Sequence, residues 1–177
     1  MQPIRSIRIL LVSVLLATTP WPAIADPSDS QSSSASTAID QALMTRAAGG
    51  IALGDVSRWA EPVRALYATH THAESTTADG AIWSRSGALT ASGRALLEQI
   101  RLADQFGLHS TDYPANAIIY RAFAITGTAA EPADWLALDV ALSFTAARFV
   151  THLHSGRIDP RTVGHDLDVL HAALDLT

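Results

Sequence analysis

Apolar positions crowd one stretch of the chain, from Trp135 to Leu153, and leave few polar ones inside it. Leu138, Leu142, Thr145, Phe149 and Leu153 fall on one helical stripe, and Leu136, Val140, Phe144 and Ala147 widen it past half the circumference. A segment of this kind predicts a central helix of about six turns with other helices packed on several sides. Glu131-Pro132 sets its start, because proline at the first helical position gives up a donor that has no partner there. Gly156 sets its end, and Pro160 keeps the helix from resuming, so the element spans about 132–155.

Shorter patterns flank it. Ile39, Leu43 and Ala47 are spaced by four behind a Thr37 or Ser36 cap, with Gly49-Gly50 as the stop. After a start at 55–62, Val63, Leu66 and Tyr67 form the face of a short helix that fades at Thr69. His70 to Gly80 reads as a polar loop, and Ile82-Trp83 returns the chain to the core. Thr90 then caps a helix whose face is Gly93, Leu96, Leu97, Ile100 and Ala103, closed by Gly107. Pro114 opens another helix, with Ile118, Ile119 and Phe123 on its face, ending near Thr126-Gly127. A last helix is expected over 166–176. No segment alternates convincingly as a strand, and the fold class is all-α, a compact domain around the central apolar helix.

The N-terminus changes the picture. Arg5 and Arg8 precede an apolar run, Ile9 to Ala17, and Ala23-Ile24-Ala25 makes a small-x-small site. The run is shorter than the ~20 residues a membrane span needs, so residues 1–25 read as a signal peptide cleaved after Ala25, with an uncleaved anchor as the alternative. The destination is the periplasm. Residues 26–37, rich in serine and aspartate, read as a flexible linker, and 38–177 as the domain. Removing Arg5 and Arg8 takes the net charge from −5 to −7, which argues against nucleic acid as a partner. There is no cysteine and no lysine, so thiolate and Schiff-base chemistry have no residue to use.

The remaining candidates are polar residues on or beside the central helix. Asp139 and Ser143 lie one turn apart, and the carboxylate is expected to pair with Arg148, Arg94 or Arg101 as a structural salt bridge. Arg157 and Asp159 are expected to bond within the turn before Pro160. His152 and His154 sit in the last turn, where exposed carbonyls attract imidazole; on a helix their rings diverge by about 200°, so they do not suggest a metal site. Trp59, Trp83 and Trp135 read as core anchors rather than a sugar platform. Neither a cofactor nor a metal is called for.

Four pieces in order carry a resemblance: Ala65-Leu66-Tyr67 followed by Ile82-Trp83, the run from Leu102 to Pro114, the run from Leu136 to Pro160, and their spacing. The most specific parts are Asp139 to Ser143 and the Leu153 to Pro160 ending. Together they resemble the N-terminal scaffold domain of the large, multi-domain L,D-transpeptidases of the Gram-negative periplasm, over about 38–170. The resemblance implies a helical module supporting a cysteine-dependent catalytic domain that acts on peptidoglycan stem peptides. Trp83, Tyr113, Asp139, Ser143, Arg148, Arg157 and Asp159 are the structural or partner candidates, with no catalytic residue among them. The chain departs from the family pattern in having no cysteine, in the long polar loop before Trp83, and in reaching Thr177 without the binding repeat or catalytic domain.

The expectation is therefore a non-catalytic scaffold or interaction module in cell-wall remodelling. Its partners would be a separately encoded catalytic L,D-transpeptidase or peptidoglycan, with self-association as another way to cover exposed apolar surface. A rival expectation is a small helical peptidoglycan hydrolase using a glutamate acid such as Glu61, Glu74 or Glu98. A further alternative is a truncated remnant without function.

Overall fold

The computed structural model describes residues 27–45, 47–73 and 81–158. Five α-helices carry the fold: α1 (Pro27–Thr45), α2 (Ala60–Ala73), α3 (Ala91–Arg101), α4 (Ala115–Ile125) and α5 (Pro132–Ser155). Two minimal hairpins join them, β1 (Ala47–Ala48) with β2 (Ile51–Ala52) and β3 (Ser84–Arg85) with β4 (Ala88–Leu89). The architecture is all-α around α5, as the periodicity predicts.

The α5 helix has the expected ends. Pro132 is its first residue, Asp134 reaches back to the Glu131 N–H at 3.3 Å, and Gly156 follows the last turn with φ of 78°. It packs against each of α1 to α4, and Leu138, Val140, Ala141, Leu142 and Phe144 are completely or almost completely buried. Length and apolarity alone would let α5 cross a membrane, but most of its surface is covered by the rest of the domain. Burying one large aliphatic side chain stabilises a fold by about 1.5–3 kcal/mol, so this face is the main source of stability.

Several sequence expectations need correction. The Ser-rich segment from Pro27 belongs to α1 rather than to a flexible tether. Thr37 is therefore an interior residue whose hydroxyl donates to the Ser33 carbonyl at 2.8 Å, not a cap. Ala35, Ile39 and Ala42 supply the cause: they lie on one face and are buried, and α1 packs along α2. The α2 helix continues to Ala73 instead of fading at Thr69. On α4 the buried face is Ala115, Ile118, Ala122 and Ile125, and Phe123 points outward, 83% exposed.

Each hairpin is closed by two residues of positive φ, Gly49-Gly50 at 57° and 81° and Ser86-Gly87 at 51° and 72°. That is the requirement of a type I′ turn, so the glycine pair turns the chain back as well as stopping α1. The expected helix over 166–176 and the signal segment lie outside the described residues.

Candidate functional site

Asp139 sits on α5 with none of its surface exposed, yet it is fully hydrogen-bonded. Its Oδ1 accepts from Tyr67 Oη at 2.7 Å and from the Ile82 N–H at 2.9 Å. Its Oδ2 accepts from the Trp83 N–H at 2.7 Å and from Ser84 Oγ at 3.0 Å. Ser143, one turn further on, accepts from Trp83 Nε1 at 2.8 Å and lies 3.1 Å from Tyr67 Oη. The proton count closes. Tyr67 gives its proton to Asp139, so Ser143 donates to the Tyr67 oxygen.

This corrects the expected salt bridge. Arg94 reaches the Leu89 carbonyl, Arg101 pairs with Glu98 at 3.0 Å, and Arg148 lies elsewhere. Four neutral donors take the place of an arginine, two of them successive backbone N–H groups. Burial raises the Asp139 pKa, and the donors from Ile82, Tyr67, Trp83 and Ser84 offset this only in part. Burial, helped by the adjacent carboxylate, holds the Tyr67 phenol well above its ordinary range.

The network is a clamp. It fastens the segment leading into β3 onto α5, and the Trp83 carbonyl then accepts from the Thr90 N–H at 2.8 Å and Thr90 Oγ at 3.1 Å. Thr90 in turn caps α3 by accepting from the Gly93 N–H at 3.0 Å. Gly93 is required by contact: a Cβ there would stand 2.7 Å from the Trp83 oxygen. Beside the clamp lies an apolar pocket of about 190 Å³ between α2, α3 and α5, lined in part by Val63, Leu66, Trp83, Leu96 and Ser143.

A second cluster lies nine positions along α5, about two and a half turns on and so on the opposite side. Tyr113 Oη is 2.9 Å from His152 Nδ1, and the Tyr113 ring meets Phe149 edge-on at 5.4 Å. His152 is thus bound to a side chain rather than to the helix-end carbonyls expected for it. Arg148 stands over the Trp59 ring at 5.9 Å and over the Tyr113 ring at 5.8 Å. Burial lowers the His152 pKa, and the positive charges of Arg148 and Arg58 lower it further. Arg157 pairs with Asp112 at 2.6 Å and ties the end of α5 to the loop before α4. Asp159 is outside the described residues.

The six sequence candidates within the described residues thus divide in two. Asp139, Ser143 and Trp83 meet in the clamp, while Arg148 and Tyr113 meet opposite it, with Arg157 near by. Tyr67, Ser84, Trp59 and His152 complete the two clusters; of these, Tyr67, a hydroxyl-bearing residue on the apolar Val63-Leu66 face of α2, is the one whose position in the sequence signals a buried polar contact. Trp135 is buried, and Trp59 and Trp83 are packed against the core.

A family model described as Scaffold domain matches residues 61–177, a span that takes in the whole clamp and, of the second cluster, Tyr113, Arg148, Phe149 and His152 but not Trp59. The chain belongs to the Scaffold domain family. This is the L,D-transpeptidase N-terminal scaffold domain that the sequence resembles. Comparison with curated proteins and with solved structures gives no match. In this scaffold domain, Glu61 pairs with Arg64 at 2.7 Å and Glu98 with Arg101, both on the exposed surface. Glu74 lies outside the described residues. Among the described residues no group of three or more His, Asp or Glu side chains is placed to hold a metal ion.

Proposed function

We propose that this chain is a non-catalytic scaffold and interaction module of the L,D-transpeptidase type, acting in peptidoglycan cross-linking or remodelling in the periplasm. The family match over 61–177 carries the reading. Catalysis is supplied outside these residues, because cysteine-based acyl transfer needs a thiolate and the 177 residues hold no cysteine. The buried polar chemistry supports a structural role: the clamp's carboxylate is enclosed, saturated with donors and spent on holding a hairpin.

An unpartnered face supports the interaction role. Tyr120 and Phe123, one turn apart on α4, are 75% and 83% exposed. Adjacent exposed aromatic rings are typical of contact surfaces, which concentrate Tyr and Phe. The face would meet a cysteine-bearing L,D-transpeptidase catalytic domain. The test is titration calorimetry of the full chain against such a domain. Saturable binding that Tyr120→Ser with Phe123→Ser abolishes supports the reading, and no binding to any catalytic domain of the type contradicts it.

A further inference from the structure

One recess beside the clamp is apolar and open, and no described residue fills it. This pocket of about 190 Å³ between α2, α3 and α5 has Leu66, Trp83, Leu96 and Val150 in its wall, each only half-buried. Its two lining residues with polar side-chain atoms, Ser143 and Trp83, are bonded to each other at 2.8 Å. Recognition there is therefore by shape and apolar contact. A cavity of ~150 Å³ takes a benzene molecule, so this one has room for a leucine side chain.

The place of the pocket on α5 points to its occupant. Ser143, Ala147 and Val150 lie on one stripe of α5, and His154 continues that stripe into the last turn. Gly156 ends the helix there with positive φ, and Pro160 keeps it from resuming, so the chain leaves α5 at the end of the stripe that lines the pocket. The described chain stops at Ile158, and residues 159–177 follow. The Scaffold domain match runs through them to residue 177, so the family unit that holds α3 and α5 holds them too.

Within that stretch Leu167, Leu170 and Leu174 have the spacing of one helical stripe, and Asp168, His171 and Asp175 gather to another side. The stripe from Leu167 to Leu174 and the pocket stripe from Ser143 to Val150 match in length, about 10 Å at ~1.5 Å per residue. The connection is long enough. Residues 156–165 reach ~30 Å when extended, and Ser143 is ~18 Å back along α5 from its end.

We infer that the C-terminal segment over 166–176 folds back on α5 as an antiparallel helix and seats its leucine stripe in the pocket between α2, α3 and α5, with Leu170 at the centre. The segment covers the half-buried sides of Trp83 and Leu96, and so adds an apolar fastening beside the polar clamp. No α4 residue lines the pocket, so this contact is separate from the Tyr120 and Phe123 face.

A chain without cysteine allows a direct test, because an introduced pair reports only on its own proximity. Leu170→Cys is combined in the full chain with Leu96→Cys, with Leu66→Cys, or with Phe123→Cys on α4, and disulfide formation under mild oxidation is followed by non-reducing electrophoresis. The expected result is an intrachain disulfide that forms on the order of tenfold faster with Leu96→Cys or Leu66→Cys than with Phe123→Cys. No intrachain disulfide, equal rates for the three pairs, or a faster Phe123→Cys pair overturns the inference. A disulfide between chains in place of the intrachain one also overturns it, by giving the pocket to a second copy. If the double variants do not fold, the unsubstituted chain decides. Overhauser contacts from the methyl groups of Leu167, Leu170 or Leu174 to the Trp83 indole ring are then expected, and their absence overturns the inference.

Discussion

Tyr67 Oη lies 2.7 Å from Asp139 Oδ1, although 72 positions of sequence separate the two residues. That bond joins α2 to α5 inside the core, and three more donors complete the shell of the same carboxylate. Replacing Asp139 with alanine leaves two backbone N–H groups and two hydroxyls without their acceptor. The expected loss is about 3–5 kcal/mol, while Tyr67→Phe, which removes the bonds to Asp139 and from Ser143 and keeps the ring, costs about 1–3 kcal/mol. Urea unfolding followed by circular dichroism measures both. An Asp139→Ala variant as stable as the parent would remove the clamp from the account.

Gly93→Ala tests the second half of the clamp. Alanine gains about 1 kcal/mol in helix propensity over glycine, but its Cβ would press on a Trp83 carbonyl that two bonds from Thr90 hold in place. Overpacking of this kind costs about 1–3 kcal/mol, so the net expectation is a loss of about 1 kcal/mol, read as a lower urea midpoint. A gain in stability would mean that α3 can slide away from Trp83.

The end of α5 was legible in the sequence because proline and glycine act locally: Pro132 and Gly156 fix φ and hydrogen bonding within one turn of themselves. Thr90 was legible as a cap for the same reason. The partner of Asp139 was not. Its donors come from distant segments, and two are main-chain N–H groups, which no residue type announces. Composition also misled at α1, where a run of serines reads as a tether until Ala35 is seen to be buried against the rest of the core. Phe123 shows the converse: its spacing allowed it on the α4 face, but Ala122 and Ile125 fill that face instead.

His152 gives the fold a pH dependence of definite sign. Its folded pKa lies below the ordinary imidazole value, so in the window between the two the unfolded chain binds the extra proton. Stability is therefore present above the ordinary imidazole pKa and is lost as pH falls through that value toward the folded one. Asp139 acts in the opposite sense at lower pH: its folded pKa is raised, so stability falls as pH rises from the ordinary carboxylate value to the folded one. Thermal unfolding between about pH 7.5 and pH 5.5 isolates the histidine. A flatter profile in His152→Gln is expected, and an unchanged slope would contradict it.

Tyr120→Ser with Phe123→Ser separates folding from association. Both rings are largely outside the core, so urea unfolding should shift by no more than about 0.5 kcal/mol for each. A larger loss would make the α4 face part of this domain's own packing rather than a contact surface.

The most direct measurement of the scaffold reading is the muropeptide profile of purified peptidoglycan after incubation with the full chain alone, with a cysteine-bearing L,D-transpeptidase catalytic domain alone, and with both. The account predicts no change from the chain alone and more cross-linked product from the pair than from the catalytic domain by itself. New cross-links or cleavage products from the chain alone would contradict it.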